Sequence, residues 1–122
     1  MKSAAKLVRE ADAETEEHTW GKLRWYAGKD DENSRELAVA ICEILPDCRT
    51  DEHYHPGCEE FIYVMTGVVR QYISSEEEFM EMTAGDAVVI PPGLKHRSEN
   101  VDNEASEMLV VYSSRDCEKM TD

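Results

Sequence analysis

The chain has 122 residues, enough for one hydrophobic core and too few for two domains of ordinary size. It carries 13 basic and 27 acidic side chains, a net charge of −14, which argues against nucleic acid and against an anionic membrane surface as partners. Hydrophobic residues make up 41% and charged residues 33%, a globular composition. No apolar run approaches the ~20 residues of a membrane span.

The first residues, Met1 to Glu10, contain two lysines and an arginine with no apolar stretch behind them. No secretory signal is therefore expected, and the cytoplasm is the expected location. Residues 1–19 read as a polar N-terminal arm, with a short helix over Ala4 to Ala13 from the stripe Ala4, Leu7, Val8 and Ala11. From Trp20 onward the chain reads as one β domain, residues 20–122. Trp20, Leu23, Trp25 and Tyr26 form an aromatic strand-like run, and Gly28 to Arg35 is a charged turn. Leu37 to Leu45 is an apolar strand that stops at Pro46-Asp47. Further strands are expected at Phe61–Met65, Val68–Ile73, Phe79–Met82, Ala87–Ile90 and Met108–Tyr112, with a hairpin tip over the glutamate run that begins at Glu76. Many short strands separated by Gly and Pro turns signal an all-β sandwich or barrel.

Of four histidines, three fall in two compact places. His53-Tyr54-His55 is an HxH at an expected strand end. Alternation puts His53 and His55 on one face, ~7 Å apart along the strand, where both imidazoles reach one ion. Glu59 and Glu60 follow the Pro56-Gly57-Cys58 turn. That turn breaks the alternation, so parity does not choose between them. His18 stands apart in a polar stretch and reads as a surface residue. The cysteines Cys42, Cys48, Cys58 and Cys117 form no CxxC pair, and without a secretion signal free thiols are expected. Cys58 lies among the candidate ligands and reads as a small loop residue rather than a thiolate ligand.

Two spacings carry a resemblance to the cupin superfamily. In the first, four residues separate His55 from Glu60 and six separate Glu60 from Gly67. In the second, Gly85, Pro91, Gly93, His96 and Asn100 stand at the family's intervals. One position departs, because Asp47 occupies the place of the first motif's opening glycine; Asp tolerates tight turns better than most residues. The resemblance implies a double-stranded β-helix, or jelly-roll, barrel. It selects Glu60 over Glu59 and implies one divalent transition-metal ion (Mn, Fe, Ni, Co or Zn) held by His53, His55, Glu60 and His96. Gln71, Tyr72 and Tyr112 are weak candidates for polar groups beside the ion; Gln71 is favoured over Tyr72 because its neighbours Val69 and Ile73 mark the buried face. Members of the superfamily include dioxygenases, decarboxylases, lyases, isomerases and non-enzymatic binders. The implied function is a metal-dependent enzyme on a small oxygen-rich metabolite, a hydroxy or keto acid or a sugar-like compound. The alternative is a non-catalytic metal-dependent binding or sensing protein. If Glu60, Ile62 and Val64 face inward, Phe61 and Tyr63 face outward. A homodimer is expected on that ground, with Trp20 to Tyr26 as the strand that crosses to the partner.

Overall fold

The fold is built on strands whose residues alternate in burial one by one. In the computed structural model, which describes residues 5–29, 33–74 and 78–121, Ala38–Ile44 and Ser106–Tyr112 each bury every second residue. That period is what an apolar sequence adopts when only one face of a sheet meets the core. Nine strands occur among the described residues: β1 (Glu14–His18), β2 (Gly21–Ala27), β3 (Ala38–Ile44), β4 (Glu60–Thr66), β5 (Val68–Ile73), β6 (Phe79–Thr83), β7 (Ala87–Ile90), β8 (His96–Asn100) and β9 (Ser106–Tyr112).

All pairings are antiparallel. Six strands form one sheet in the order β1-β2-β3-β9-β4-β7, and three form a second in the order β6-β5-β8. The segment before β4 runs beside β8 through single bridges, Arg49 to Glu99 and His53 to His96. No helix among the described residues is long and apolar enough to cross a membrane. The jelly-roll barrel expected from the sequence is the observed architecture.

The register assigns each side chain to a face. Ala40, Val110, Ile62 and Val88 are successive cross-strand neighbours, and so are Ala38, Tyr112, Glu60 and Ile90. These two rows point inward, with Trp20, Ile44, Val64, Val69 and Met108 completing the buried cluster. The opposite face carries Val39, Val111, Phe61 and Val89 in one row and Ile41, Leu109, Tyr63 and Ala87 in the next. Phe61 and Tyr63 therefore do face outward.

Two expectations need correction. The helix over Ala4 to Ala13 is absent where described (Ala4 lies outside the described residues); a single 3₁₀ turn, Glu10–Asp12, buries nothing. An apolar stripe this weak has no surface to dock on, and a short isolated helix is marginal in water. The expected arm instead supplies β1, an acidic edge strand paired along β2. The run from Trp20 to Tyr26 forms β2, between β1 and β3 of its own chain, and Trp20 is buried in the core of that chain.

Residues 75–77, which hold the centre of the expected hairpin tip, lie outside the described residues, as do residues 30–32 of the charged turn. Asp47 has φ 61°, so the aspartate takes up the left-handed turn in which the related motif carries glycine. At Gly67 the requirement is stricter. Its φ is 92°, and an added Cβ would lie 2.8 Å from the Ser106 side chain. Gly67→Ala is expected to destabilise the fold by ~2 kcal/mol through backbone strain and the clash. A urea midpoint unchanged from the parent would contradict this account of the β4–β5 turn.

Candidate metal centre

His53, His55, Glu60 and His96 come together on the inner side of the barrel, with ligand atoms all within 4.8 Å of one another. Each arrives for a local reason. Glu60 opens β4 in the inward register and is 4% exposed, whereas Glu59 is exposed and its backbone pairs with Ser113. His96 opens β8, where its backbone exchanges two hydrogen bonds with His53, at 3.0 and 2.8 Å. His55 lies two residues beyond His53, on the same side of the segment. The Gly93 N–H donates to the His55 carbonyl at 2.9 Å, so the Pro91-Pro92-Gly93 turn braces the segment that carries both imidazoles.

The second nitrogen of every imidazole is engaged by backbone. His53 Nδ1 lies 2.6 Å from the Asp51 carbonyl, His55 Nδ1 2.9 Å from that of Glu118, and His96 Nδ1 2.9 Å from that of Leu94. A carbonyl only accepts, so each Nδ1 carries the proton, and in a neutral ring Nε2 is then a bare lone pair. His96 Nε2 lies 2.8 Å and His55 Nε2 3.2 Å from the same carboxylate oxygen, Glu60 Oε1. His55 Nε2 is buried and makes no hydrogen bond. Lone pairs and a carboxylate thus face one another with no donor assigned among them, unless His96 takes up a proton. A cation satisfies all of them at once, so the donor set fits a divalent metal ion.

The electrostatics follow from burial and this shared carboxylate. Burial and the neighbouring His96 push the His53 imidazole down to about 4. Burial would raise Glu60, but the adjacent His55 and His96 imidazoles outweigh it and hold the carboxyl at about 2. Burial opposes protonation of His96, but the Glu60 hydrogen bond and charge outweigh it and raise that imidazole above its ordinary value.

The group stands at one side of a cavity of about 210 Å³. Its walls include Trp20, Leu23, Trp25, Ile62, Met108 and Val110, so they are largely apolar. Glu16, Lys29, Arg115 and Lys119 also line it. Glu16 pairs with Lys29 and accepts from Trp25 Nε1 at 3.3 Å, while Arg115 donates to the Lys29 carbonyl at 3.2 Å. These charged residues were not singled out from sequence, because their positions depend on β1, the loop after β2 and the C-terminal segment meeting at one place.

The weaker candidates separate. Tyr112 lines the cavity, is 8% exposed, and stacks edge-on with His55 at 5.0 Å between ring centroids. Burial and the Glu60 charge push its phenol well above the ordinary value, so it keeps its proton. Gln71 is fully buried on the inner face of the small sheet, but its amide is engaged by the Arg97 carbonyl and Ser98 Oγ and does not line the cavity. Tyr72 is on the other face, with Arg97 over its ring and its hydroxyl donating to Glu99. His18 is half-buried, stacks on Trp20 and contacts Glu16, away from the four-residue group.

The free-thiol expectation is corrected for one pair. Cys58 and Cys117 form a disulfide across a sequence separation of 59, while Cys42 and Cys48 are free. Sequence spacing offers no signal for a bond between a loop cysteine and one in an irregular tail.

An antiparallel β-barrel with a His/Glu metal-binding group inside it defines a class of proteins, and residues 40–112 match the sequence profile of the cupin domain. The chain belongs to the cupin domain family. The polyketide synthase CurC of Streptomyces cyaneus is 38% identical over 75 residues, 62% of this chain and 47% of that protein. An oxalate decarboxylase of Arthroderma benhamiae is 33% identical over 85 residues, 66% of this chain and 20% of that protein. The chain thus spans less than half the length of these two relatives. Among solved structures, the Lactobacillus farciminis oxalate decarboxylase in its formate complex superimposes with a TM-score of 0.81, at 24% identity, over 91% of this chain and 34% of that one. That likeness concerns the fold.

The pKa directions set the acid behaviour of the metal-free protein. His53 is lowered, so the unfolded chain takes up its proton first, and stability falls as pH drops from about 6.5 towards about 4. His96 is raised, so its contribution is present below about 6.5 and is lost as pH rises through its folded value. A maximum in the thermal midpoint near pH 6.5 is expected for the metal-free chain, with the acid limb shallower in His53→Gln. An identical acid limb in that variant would show that His53 is not the residue responsible.

Proposed function

We propose that the chain is a metal-dependent enzyme acting on a small hydroxy or keto acid, with His53, His55, Glu60 and His96 as the ligands of one divalent transition-metal ion. The observation that carries this reading is the convergence of backbone-locked imidazole lone pairs on one buried carboxylate oxygen. Three nitrogens and one oxygen form a borderline-hard set, suited to Mn²⁺, Fe²⁺, Co²⁺, Ni²⁺ or Zn²⁺. A Bacillus subtilis oxalate decarboxylase of the same fold is described with Mn(II) centres, which supports manganese among these. When bound, the ion supplies Lewis acidity, and one-electron chemistry where it is iron or manganese.

The chain's own residues then perform three tasks. The Asp51, Glu118 and Leu94 carbonyls hold the imidazoles in the tautomer and orientation that present Nε2 to the cavity. Tyr112 keeps a neutral phenol beside Glu60, a proton donor that does not compete as an anion. The apolar walls limit water around the ligand, and the cations Arg115 and Lys119 favour an acid over a neutral sugar. Relatives named for the decarboxylation of oxalate, itself a carboxylic acid, support the same choice. The site is proposed to work in the cytoplasm, as the sequence suggested.

The protein is also proposed to act as a homodimer through the outer face of the six-stranded sheet. Two cross-strand rows, Val39–Val111–Phe61–Val89 and Ile41–Leu109–Tyr63–Ala87, place apolar side chains side by side there. Tyr63 is 38% and Val89 57% exposed, and contiguous apolar area of this kind marks an interface.

Freshly isolated protein is expected to contain close to one divalent ion per chain by elemental analysis. His96→Ala should weaken its affinity by at least ~100-fold, since loss of a ligand exceeds the effect of losing a second-sphere partner. Full metal retention in that variant would refute the ligand assignment. Turnover is expected with hydroxy or keto acids and not with neutral sugars; tight metal-dependent binding of acids with no turnover would replace the enzyme reading with a binding or sensing protein. Light scattering at micromolar concentration should give the mass of two chains, and Phe61→Glu with Tyr63→Glu should give one. A parent monomer would end the dimer proposal.

A further inference from the structure

Behind the His/Glu group lies a second set of donors that the proposed function leaves unused. The sulfur atoms of Cys58 and Cys117 and a ring nitrogen of His55 all lie within 4.8 Å of one another. In the structure the two sulfurs are joined as a disulfide, with Cα atoms 5.8 Å apart. Cys58 is 2% exposed, while Cys117 is half-buried and lines the cavity, so a reductant reaches the bond from the cavity side. The adjacent residue, Glu118, supplies the carbonyl that accepts from His55 Nδ1, and Met120 exchanges two backbone hydrogen bonds with Tyr54, each of 2.9 Å. These bonds hold the tail in place independently of the disulfide, so the three donors stay together when the S–S bond opens.

We propose that Cys58, Cys117 and His55 form a second, redox-gated metal site for a thiophilic cation such as Zn²⁺ or Cu⁺. A dithiol reductant delivers two electrons and two protons: the Cys58–Cys117 bond breaks, two thiols form, and the reductant leaves as its own disulfide. Binding of the cation then releases both thiol protons as the sulfurs become thiolates. Two thiolates and one imidazole are a soft set, in contrast to the three nitrogens and one carboxylate beside them, so the two sets prefer different metals. Because His55 belongs to both, loading the sulfur set weakens the hold of the His/Glu set on its ion. In a reducing compartment the sulfur site is open; exchange with an oxidised dithiol (a disulfide), which takes up the two electrons and is itself reduced, re-forms the Cys58–Cys117 bond, releases the cation and returns His55 to the His/Glu group. The inference rests on the placement of the cysteines and shares only His55 with the proposed function.

Cobalt(II) titration of the full chain tests it, on protein kept oxidised and on protein reduced with a dithiol and then desalted without oxygen. Reduced protein should develop a near-ultraviolet sulfur-to-cobalt charge-transfer band that is absent from the oxidised form. Cys58→Ser and Cys117→Ser should each lose that band while keeping the visible cobalt bands of the His/Glu set, which also reports that they are folded. His96→Ala, or Glu60→Gln where His96→Ala does not fold, should weaken the visible bands and retain the charge-transfer band. That last pair separates the two ideas: failure of the His/Glu reading leaves the sulfur band intact. Reduced parent protein with four titratable thiols and no sulfur band would overturn the proposal. Loss of the sulfur band in His96→Ala and Glu60→Gln would overturn it too, by showing that the thiolates only supplement the first ion. Four free thiols in air-oxidised protein would remove the redox gate.

Discussion

The interior of this barrel is organised around one buried carboxylate. Glu60 is 4% exposed, and an ionised group at that depth is tolerated only when its surroundings replace water. Three imidazoles surround it, but each is turned by a backbone carbonyl so that its unprotonated nitrogen faces inward. The protein has therefore built an interior that is electron-rich on every side. Such an arrangement conflicts with stability in isolation and is resolved by a cation, whether a proton taken up by His96 or a metal ion. The opposite pKa directions of His53 and His96 express that conflict. His96, which bonds the carboxylate, gains from a proton; His53, held beside it by burial, loses.

The rest of the fold serves to aim this group. The six-stranded sheet separates two kinds of face. Its inner rows pass from small apolar side chains at Ala40 and Cys42 to Tyr112 and Glu60, so packing gives way to a cavity where polar groups enter. Its outer rows stay apolar across four strands, with Val39, Ile41, Phe61, Leu109 and Val111 half-buried and Tyr63 and Val89 exposed. The small sheet contributes a contrasting surface: β8 buries His96, Arg97, Ser98 and Asn100 with scarcely an apolar side chain. Asn100 donates to the Ile44 and Glu104 carbonyls and Ser98 to Gln71, while the Arg97 guanidinium lies over the Tyr72 ring with its Nη1 left without a hydrogen bond. Buried polar strands of this kind hold their register by hydrogen bonds rather than by packing.

The C-terminal segment joins these parts. It brings Arg115 and Lys119 to the cavity, supplies the Glu118 carbonyl to His55, and is tied by Cys117 to the turn between His55 and Glu60. A chain with about twice as many acids as bases thus brings two cations to a cavity that Glu16 and Glu60 also line. The same segment bridges to Tyr54, so one stretch of chain carries the carbonyl partner of His55, two cations of the cavity and Cys117.

Much of this was legible from the sequence because it depends on period and spacing. Apolar runs ended by turn residues located Ala38–Ile44, Val68–Ile73 and Ala87–Ile90 to within a residue, and the family resemblance carried by the intervals from His53 to Gly67 and from Gly85 to Asn100 implied the four residues that the structure gathers. Two strands escaped for a physical reason. Glu14–His18 is an acidic edge strand held by backbone pairing to β2, and His96–Asn100 is polar yet buried, so neither carries the apolar alternation that reveals a strand. Parity could not choose between Glu59 and Glu60, since a turn intervenes; only the register of β4 against β7 and β9 turns Glu60 inward. The disulfide, the imidazole tautomers and the charged lining of the cavity were likewise beyond the sequence. The disulfide, the His55–Glu118 contact and the charged lining join residues far apart in the chain, neighbours only after the sheets have closed, while the His53 and His96 tautomers depend on local backbone geometry that residue type does not reveal.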